Sequence, residues 1–301
     1  MSAPAVRPLP FSFPLRVRMS DSASARMHFA ELMSAPAREV SLAEAALTFA
    51  CDATPSLDVA AYLARLDALA DTLRRRLRPD ISAADKIVAL NRYLFDELGF
   101  AANAQAYYDP RNNYLNEVLD RRLGIPITLC VVYLELGRRL GLALEGVSFP
   151  GHFLVKCPLK EGTVVLDPYR KGVSLGVEDL YRRLKAMGGG GAGARRPPVA
   201  TLLATATPRQ IVVRMLRNLQ GIFLEAKAWR EALWVLDYLL IAEPAHAEGY
   251  RDRAAVYQQL ECCRAALADY ERYLARAAGA EDALDVRARI AELKRAAARL
   301  N

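Results

Sequence analysis

The chain has 301 residues, a net charge of +7, an apolar fraction of 53% and a mean hydropathy close to zero. This composition excludes a wholly disordered chain, and no stretch offers the roughly 18 apolar residues that a membrane-spanning helix needs. The length allows two domains, each with its own core. The basic residues are scattered along helical patterns that also carry Glu and Asp, which indicates solvated faces and argues against nucleic-acid binding.

The five cysteines have neither the spacing of zinc ligands nor that of a redox pair. Cys51, Cys130 and Cys157 lie in apolar runs, whereas Cys262 and Cys263 are adjacent. We therefore expect no metal, no cofactor and no disulfide framework. The reducing cytoplasm, where thiols stay free, is the expected compartment.

The first 26 residues are rich in Pro, Ser and Arg. Arg16 and Arg18 interrupt their apolar part, which is not typical of a secretory signal. We expect residues 1–26 to be a disordered tail, or an extension before a true start at Met19 or Met27.

Residues 29–99 show helical periodicity with recognisable helix starts. Ser41 and Glu44 have capping-box spacing, and two further helices are predicted to start at Ser56 or Asp58 and at Ser82 or Asp85, the last of them ending at Gly99. These helices are expected to build a core and to carry no chemistry.

The segment from residue 107 to 169 carries the candidate chemistry. A polar turn at residues 109–113 precedes a helix predicted from Pro126 to the stop at Gly141, because proline suits a first helical turn. β-Branched and aromatic runs at residues 146–157 and 163–166 then predict strands. Leucines at 175, 180 and 184 predict one more helix.

A Gly-, Arg- and Pro-rich stretch at residues 188–207 predicts a linker between two domains, at 27–187 and 208–301. Beyond it the pattern is all-helical with a period of 34 residues, which is typical of tetratricopeptide repeats. The period aligns Leu216 with Tyr250, Phe223 with Tyr257, Ala232 with Ala266, Leu236 with Tyr270 and Leu239 with Tyr273. Two repeats and a capping helix are too few for a free-standing array, so the block is expected to lean on the first domain.

His152 and Asp167 are separated by 15 positions, which suits neighbouring antiparallel strands. The carboxylate could then fix the tautomer of the imidazole, as in a Cys-His-Asp hydrolase. Cys130 is the available thiol, but a helix that starts at Pro126 places it one turn inside, where a buried and inert thiol is expected. Strand-end roles in a hydrogen bond or an Asx turn are the simpler alternatives for His152 and Asp167.

A second polar cluster consists of Asn112, Asn113, Asn116 and Glu117. Asparagine in a turn commonly serves the backbone. Its amide can also hold a substrate backbone or an oxyanion if it faces a cleft, so these four residues are the predicted substrate-binding set.

Three motifs carry a family resemblance: YDPRNNYLNEVL at 108–119, RRLGIPITL at 121–129 and GVSFPGHFLV at 146–155. With the Leu-Asp-Pro at 166–168 and the two repeats, they resemble the SirB family of transglutaminase-like proteins. The resemblance implies an α+β fold, with a papain- and transglutaminase-like core of helices on a small antiparallel sheet, followed by the all-α repeats. It also implies that His152 and Asp167 match the catalytic His and Asp, while Pro126 stands where the nucleophilic Cys belongs.

The predicted function is a non-catalytic transglutaminase-like module, which binds a protein or peptide through its cleft and its repeats. The alternative is a cysteine hydrolase or acyl-transferase using Cys130, His152 and Asp167. A third interpretation is a regulatory protein acting near nucleic acid through its basic tail and linker.

Overall fold

The computed structural model describes residues 22–186 and 197–299. The predicted tail lies outside these ranges up to residue 21, but its last five residues already belong to the first helix, α1 (Ser22–Ser34). Ala25 and Phe29 on this helix are fully buried, so apolar burial begins earlier than the composition indicated.

Three helices follow α1 and complete the amino-terminal layer: α2 (Leu42–Ala50), α3 (Val59–Arg74) and α4 (Ala83–Asn91). Asp58 accepts from the Ala61 amide at 3.0 Å and Ser82 from the Asp85 amide at 3.1 Å, which confirms both helix starts. The chain continues from α4 as a π-helical turn, Arg92–Glu97, and stops at Gly99 with φ +75°.

The predicted capping box at the start of α2 does not form. The Ser41 side chain makes no capping hydrogen bond, and the Glu44 carboxylate lies 2.9 Å from Nε2 of His28 on α1 instead. The Glu44 carboxylate, which the local pattern assigned to the helix cap, thus makes a tertiary contact between α1 and α2.

The central helix of the molecule is buried along most of its length. A short parallel pair, β1 (Ala101–Ala102) and β2 (Leu123–Gly124), frames a 3₁₀ turn at Pro110–Asn113 and the helix α5 (Leu115–Arg121). The helix α6 (Pro126–Arg139) begins at its proline as predicted, and all of its residues from 126 to 137 are buried. It packs on α3, α5 and the sheet that follows.

That sheet has five antiparallel strands in the order β6-β5-β4-β3-β7. Their bounds are β3 (Glu145–Val147), β4 (Leu154–Leu159), β5 (Gly162–Asp167), β6 (Val173–Leu175) and β7 (Thr205–Ala206), with the helices α7 (Val177–Ala186) and α8 (Val199–Leu202) between the last two. The predicted α+β fold class, helices on a small antiparallel sheet, is confirmed.

Two details of the sheet differ from the sequence expectation. The run at 146–157 is not one strand, because residues 148–153 reverse the chain and make β3 and β4 antiparallel partners. The second half of the predicted linker is also structured, since β7 adds to the edge of the sheet beside β3. Residues 188–196 of that linker lie outside the described part of the chain.

The carboxy-terminal block is all-helical, as the repeat period predicted. It consists of α9 (Pro208–Glu225), α10 (Trp229–Ala242), α11 (Ala247–Gln259), α12 (Cys263–Arg276) and α13 (Ala283–Arg299). The helices α9 and α10 share one apolar core with the amino-terminal part, whereas α11 to α13 enclose a small core of their own. The first repeat therefore packs against the amino-terminal domain.

Candidate functional site

The turn that connects β3 to β4 carries His152. The His152 amide donates to the Phe149 carbonyl at 3.1 Å, and Gly151 supplies the positive φ of +60° that the reversal requires. Phe149 and Phe153 on either side are buried and anchor the turn in the core. His152 thus lies just before β4, not on it, and its side chain remains 15% exposed.

Asp167 ends β5 on the neighbouring strand and faces the imidazole. Its Oδ1 lies 3.0 Å from His152 Nε2, and its Oδ2 accepts from Arg183 on α7 at 2.6 Å. The carboxylate is fully buried, and it also accepts from the Tyr169 amide at 3.2 Å. Burial alone would raise the pKa of Asp167, but the hydrogen bonds and charges of His152 and Arg183 outweigh it and hold that pKa below its ordinary value.

An ionised Asp167 accepts only, so a neutral His152 carries its proton on Nε2. Its Nδ1 is then a hydrogen-bond acceptor. Within the described ranges no residue donates to that nitrogen. The Asp therefore orients the ring and leaves Nδ1 as the acceptor, as an orienting carboxylate does in hydrolase triads.

Cys130, the candidate nucleophile, is enclosed by the core. It lies fully buried on α6, and its thiol donates to the Phe153 carbonyl with an Sγ–O distance of 3.4 Å. Burial raises the pKa of this thiol well above its ordinary value, and the negative charge of Asp167 adds to the effect. Because the thiolate is the nucleophile, a buried thiol with a raised pKa is a poor nucleophile.

The start of α6 holds no alternative nucleophile. Pro126 occupies its first turn and is buried. The Thr128 hydroxyl is also buried and acts in the local structure, donating to the Asn112 carbonyl at 2.8 Å and accepting from the Ile125 amide at 3.2 Å. The first turn of α6, where free backbone amides would lower the pKa of a thiol, is occupied by Pro126.

The predicted substrate-binding asparagines are buried and not brought to an open surface. The Asn112 amide donates to the carbonyls of Ala106 and Tyr107 and accepts from Asn103 and Arg121, which uses its full hydrogen-bonding capacity inside the protein. Its observed role is to fasten the loop before the 3₁₀ turn.

The other members of that cluster differ from Asn112 in their hydrogen bonding. Asn113 accepts weakly from Asn218 on α9 at 3.4 Å, while its own Nδ2 and the Oδ1 of Asn116 are buried without a partner. Glu117 pairs with Arg121 at 3.2 Å and is partly exposed. Substrate binding by these residues stays a prediction, which the burial of the three asparagines does not favour.

Residues that sequence analysis did not select complete the surroundings of His152. Tyr169 lies edge-on to the imidazole with ring centroids 5.8 Å apart, and Arg183 holds the far side of Asp167. Arg214 on α9 donates to the His152 carbonyl at 2.9 Å and lies over the Phe153 ring at 5.5 Å. No local signal could have found Arg214, because it is 62 positions away and lies in the repeat pattern.

Two exposed tyrosines precede the 3₁₀ turn. Tyr107 is 37% and Tyr108 is 73% exposed, and their rings meet edge to face at 5.3 Å. Burial raises the pKa of the Tyr107 phenol, with further contributions from Tyr169 and Tyr108. Tyr107 therefore contacts the exposed Tyr108 ring and is electrostatically coupled to Tyr169, which contacts His152.

A buried central helix against a small antiparallel sheet, with a His just before one strand paired to an Asp at the end of the next, defines the class of transglutaminase-like proteins. The sequence profile of the Transglutaminase-like superfamily matches residues 60–217, and a Tetratricopeptide repeat profile matches residues 219–291. The two profiles meet within α9, beyond the predicted start of the repeats at residue 208. The chain belongs to this superfamily and, within it, to the UPF0162 proteins, the SirB-type family that the motifs indicated.

Relatives from several organisms support this membership. A UPF0162 protein of Xylella fastidiosa is 42% identical over 77% of this chain and 83% of its own length. A UPF0162 protein of Pseudomonas aeruginosa is 33% identical with the same coverage. F-box only protein 21 of Mus musculus is 40% identical over 30% of this chain and 16% of its own length.

Tetratricopeptide repeats generally bind other proteins, so the carboxy-terminal block belongs to a class of protein-interaction modules. Across residues 22–186 and 197–299, no helix combines the length and apolar character needed to cross a bilayer.

Proposed function

We propose that the protein is a non-catalytic member of its superfamily, which holds an extended peptide segment in the His152 cleft. The observations that support this proposal are at α6, where the buried Pro126 occupies the first turn and Cys130 is fully buried in the core. Without a thiolate beside the imidazole, acyl transfer by the mechanism of this superfamily has no first step.

The cleft keeps features that suit a peptide. His152 Nδ1 can accept from a peptide N–H, and the orientation of its ring is fixed by Asp167. Tyr107, Tyr108 and Tyr169 offer aromatic faces, which supply much contact area at low conformational-entropy cost. Arg214 fastens the His152 turn to the first repeat, so the cleft and the repeats are parts of one binding unit.

The alternative, a cysteine hydrolase or acyl-transferase using Cys130, His152 and Asp167, requires a thiol that reaches the imidazole. Here the thiol donates to the carbonyl of Phe153 and its pKa is raised by burial. Catalysis would need the start of α6 to rearrange, and buried Pro126 and Thr128 oppose this.

A peptide-display library panned on the full chain tests the proposal. Selected peptides are expected to lose about fivefold or more in affinity with Tyr108→Ala and with His152→Ala, because aromatic and central contacts dominate such interfaces. Leu284→Ala is the matched control, since Leu284 is 74% exposed on the final helix.

The same peptides should be recovered at unchanged mass after long incubation, and Cys130→Ser should leave their affinity unchanged. A cleaved or acylated product that forms with the wild type and disappears with Cys130→Ser would overturn the proposal in favour of the hydrolase.

A further inference from the structure

A pocket of about 370 Å³ opens between α1 and the second repeat. Its lining residues come from α1, α10, α11 and α12, and none of them belongs to the His152 cleft. The floor is partly apolar, with Leu240, Ile241 and the ring of Tyr250. Four arginines and a single aspartate provide the charged groups: Arg26, Arg253, Arg272, Arg276 and Asp237.

Three of these arginines are held in place by aspartates. Arg253 is the most buried of them and bridges Asp237 at 2.8 Å and Asp269 at 2.6 Å. Arg272 shares Asp269 at 2.9 Å, and Arg26 pairs with Asp52 at 3.1 Å. The negative charge of Asp237 is thus neutralised within the wall, and the network fixes the shape of the pocket.

Arg276 differs from the other three. Its guanidinium lies 4.6 Å from the centroid of the Tyr250 ring, and its hydrogen bond goes to the Arg272 carbonyl at 3.2 Å. No carboxylate of the described residues forms an ion pair with it. The Tyr250 hydroxyl donates to the Pro244 carbonyl at 3.2 Å, which fixes the ring under the cation. Arg276 is therefore an oriented cation with free N–H donors at the mouth of the pocket.

We propose that this pocket binds an acidic peptide segment of a partner protein. A Glu or Asp carboxylate would accept from Arg276 and from the 55% exposed Arg272, and guanidinium groups match that acceptor in geometry as well as in charge. An adjacent apolar side chain of the peptide would rest on Leu240 and Ile241. This extends the proposed function to a second site and names the chemistry of the partner.

The pocket suits a peptide better than a nucleic acid. Nucleic-acid binding relies on several cations that neutralise successive phosphates along a backbone. Here a single arginine lacks a carboxylate partner, and the apolar floor would be left against the sugar-phosphate chain. A compact carboxylate with an apolar neighbour uses both parts of the pocket.

Fluorescence anisotropy with defined probes tests this proposal. The probe is a fluorescein-labelled hexapeptide of alternating Glu and Leu, and the reference is the same peptide with Gln in place of Glu. Arg276→Glu is expected to weaken binding of the Glu probe by about tenfold or more, the effect of losing a charge-assisted contact. Arg264→Glu is the matched control, because Arg264 is exposed on the same helix, carries the same charge and does not line the pocket.

Several results would overturn the inference: no binding of the Glu probe, equal binding of the Gln peptide, or equal weakening by both charge reversals. A labelled oligothymidine that binds more tightly than the Glu probe, with a steep loss between 50 and 200 mM salt, would assign the pocket to nucleic acid. Thermal unfolding of each variant establishes that it is folded. If the two sites are separate, the Arg276→Glu variant still binds the peptides selected for the His152 cleft. A negative result for the acidic-peptide pocket is therefore distinguishable from a negative result for the proposed function.

Discussion

Asp167→Ala is expected to lower the free energy of unfolding by about 3–5 kcal/mol, the usual cost of removing one partner from a buried ion pair. The carboxylate is fully buried and joins His152 on the β3–β4 turn to Arg183 on α7. Its loss leaves the Arg183 cation and the His152 ring facing a cavity. Urea denaturation followed by circular dichroism measures the change.

The pH dependence distinguishes an ionic role from simple packing. The pKa of Asp167 is lowered in the folded state, so its stabilisation is present above the unfolded pKa of about 3.9 and is lost as pH falls through the folded pKa. The difference between wild type and the isosteric Asp167→Asn should therefore be constant above about pH 5 and shrink below about pH 4. A difference that stays the same down to about pH 2 would contradict an ionised Asp167.

Tyr238→Ala is expected to destabilise the molecule by about 3–5 kcal/mol, because it removes a large, fully buried ring. Tyr238 lies on α10 and packs edge-on to Phe29 of α1 at 4.8 Å and to Phe49 of α2 at 6.4 Å. Its hydroxyl donates to Asp52 at 2.8 Å. The ring thus joins the first repeat to the amino-terminal helices.

The control is Tyr238→Phe, which keeps the ring and removes only the hydrogen bond to a charged acceptor, a loss of about 1.5–3 kcal/mol. If the repeats lean on the core, tertiary and helical signals should fall in one transition in wild type and in both variants. A repeat block that unfolds separately, with the core unaffected by Tyr238→Ala, would contradict the shared apolar core.

Local sequence signals predicted the elements that depend on local chemistry. Asp58 and Ser82 cap their helices, Pro126 starts α6, and Gly99 ends its helix in the left-handed region. In each case one residue starts or ends the backbone hydrogen bonding of the adjacent helix, so the neighbouring sequence is enough to predict the helix boundary.

Features that depend on distant partners were not predictable in the same way. Glu44 was expected to cap α2 and contacts His28 on another helix instead, and β7 takes its place only because the edge of β3 is available. The residues of the site likewise include some that the local sequence predicts and one that it does not. The pairing of His152 with Asp167 follows from strand spacing, whereas Arg214 arrives from α9.

Burial decided the cases in which residue type alone was ambiguous. Cys130 and Asn112 are chemically able to act in a site, and their positions near the motifs made them candidates. The structure encloses both, one against the Phe153 carbonyl and the other within four hydrogen bonds of its own amide. Whether a single residue is enclosed depends on the packing of the whole core. Sequence periodicity indicates only which face of a helix is buried.

The central claim, a His-Asp cleft without a working nucleophile, is tested most directly by alkylating the thiols with iodoacetamide from about pH 5 to 9. Peptide mass spectrometry reads Cys130 and the exposed Cys262 in the same molecule, in wild type and in His152→Ala. We predict slow labelling of Cys130 at every pH, indifferent to His152, while Cys262 reacts as an ordinary thiol. Fast labelling of Cys130 below pH 7 that disappears in His152→Ala would show a Cys-His pair and contradict the account.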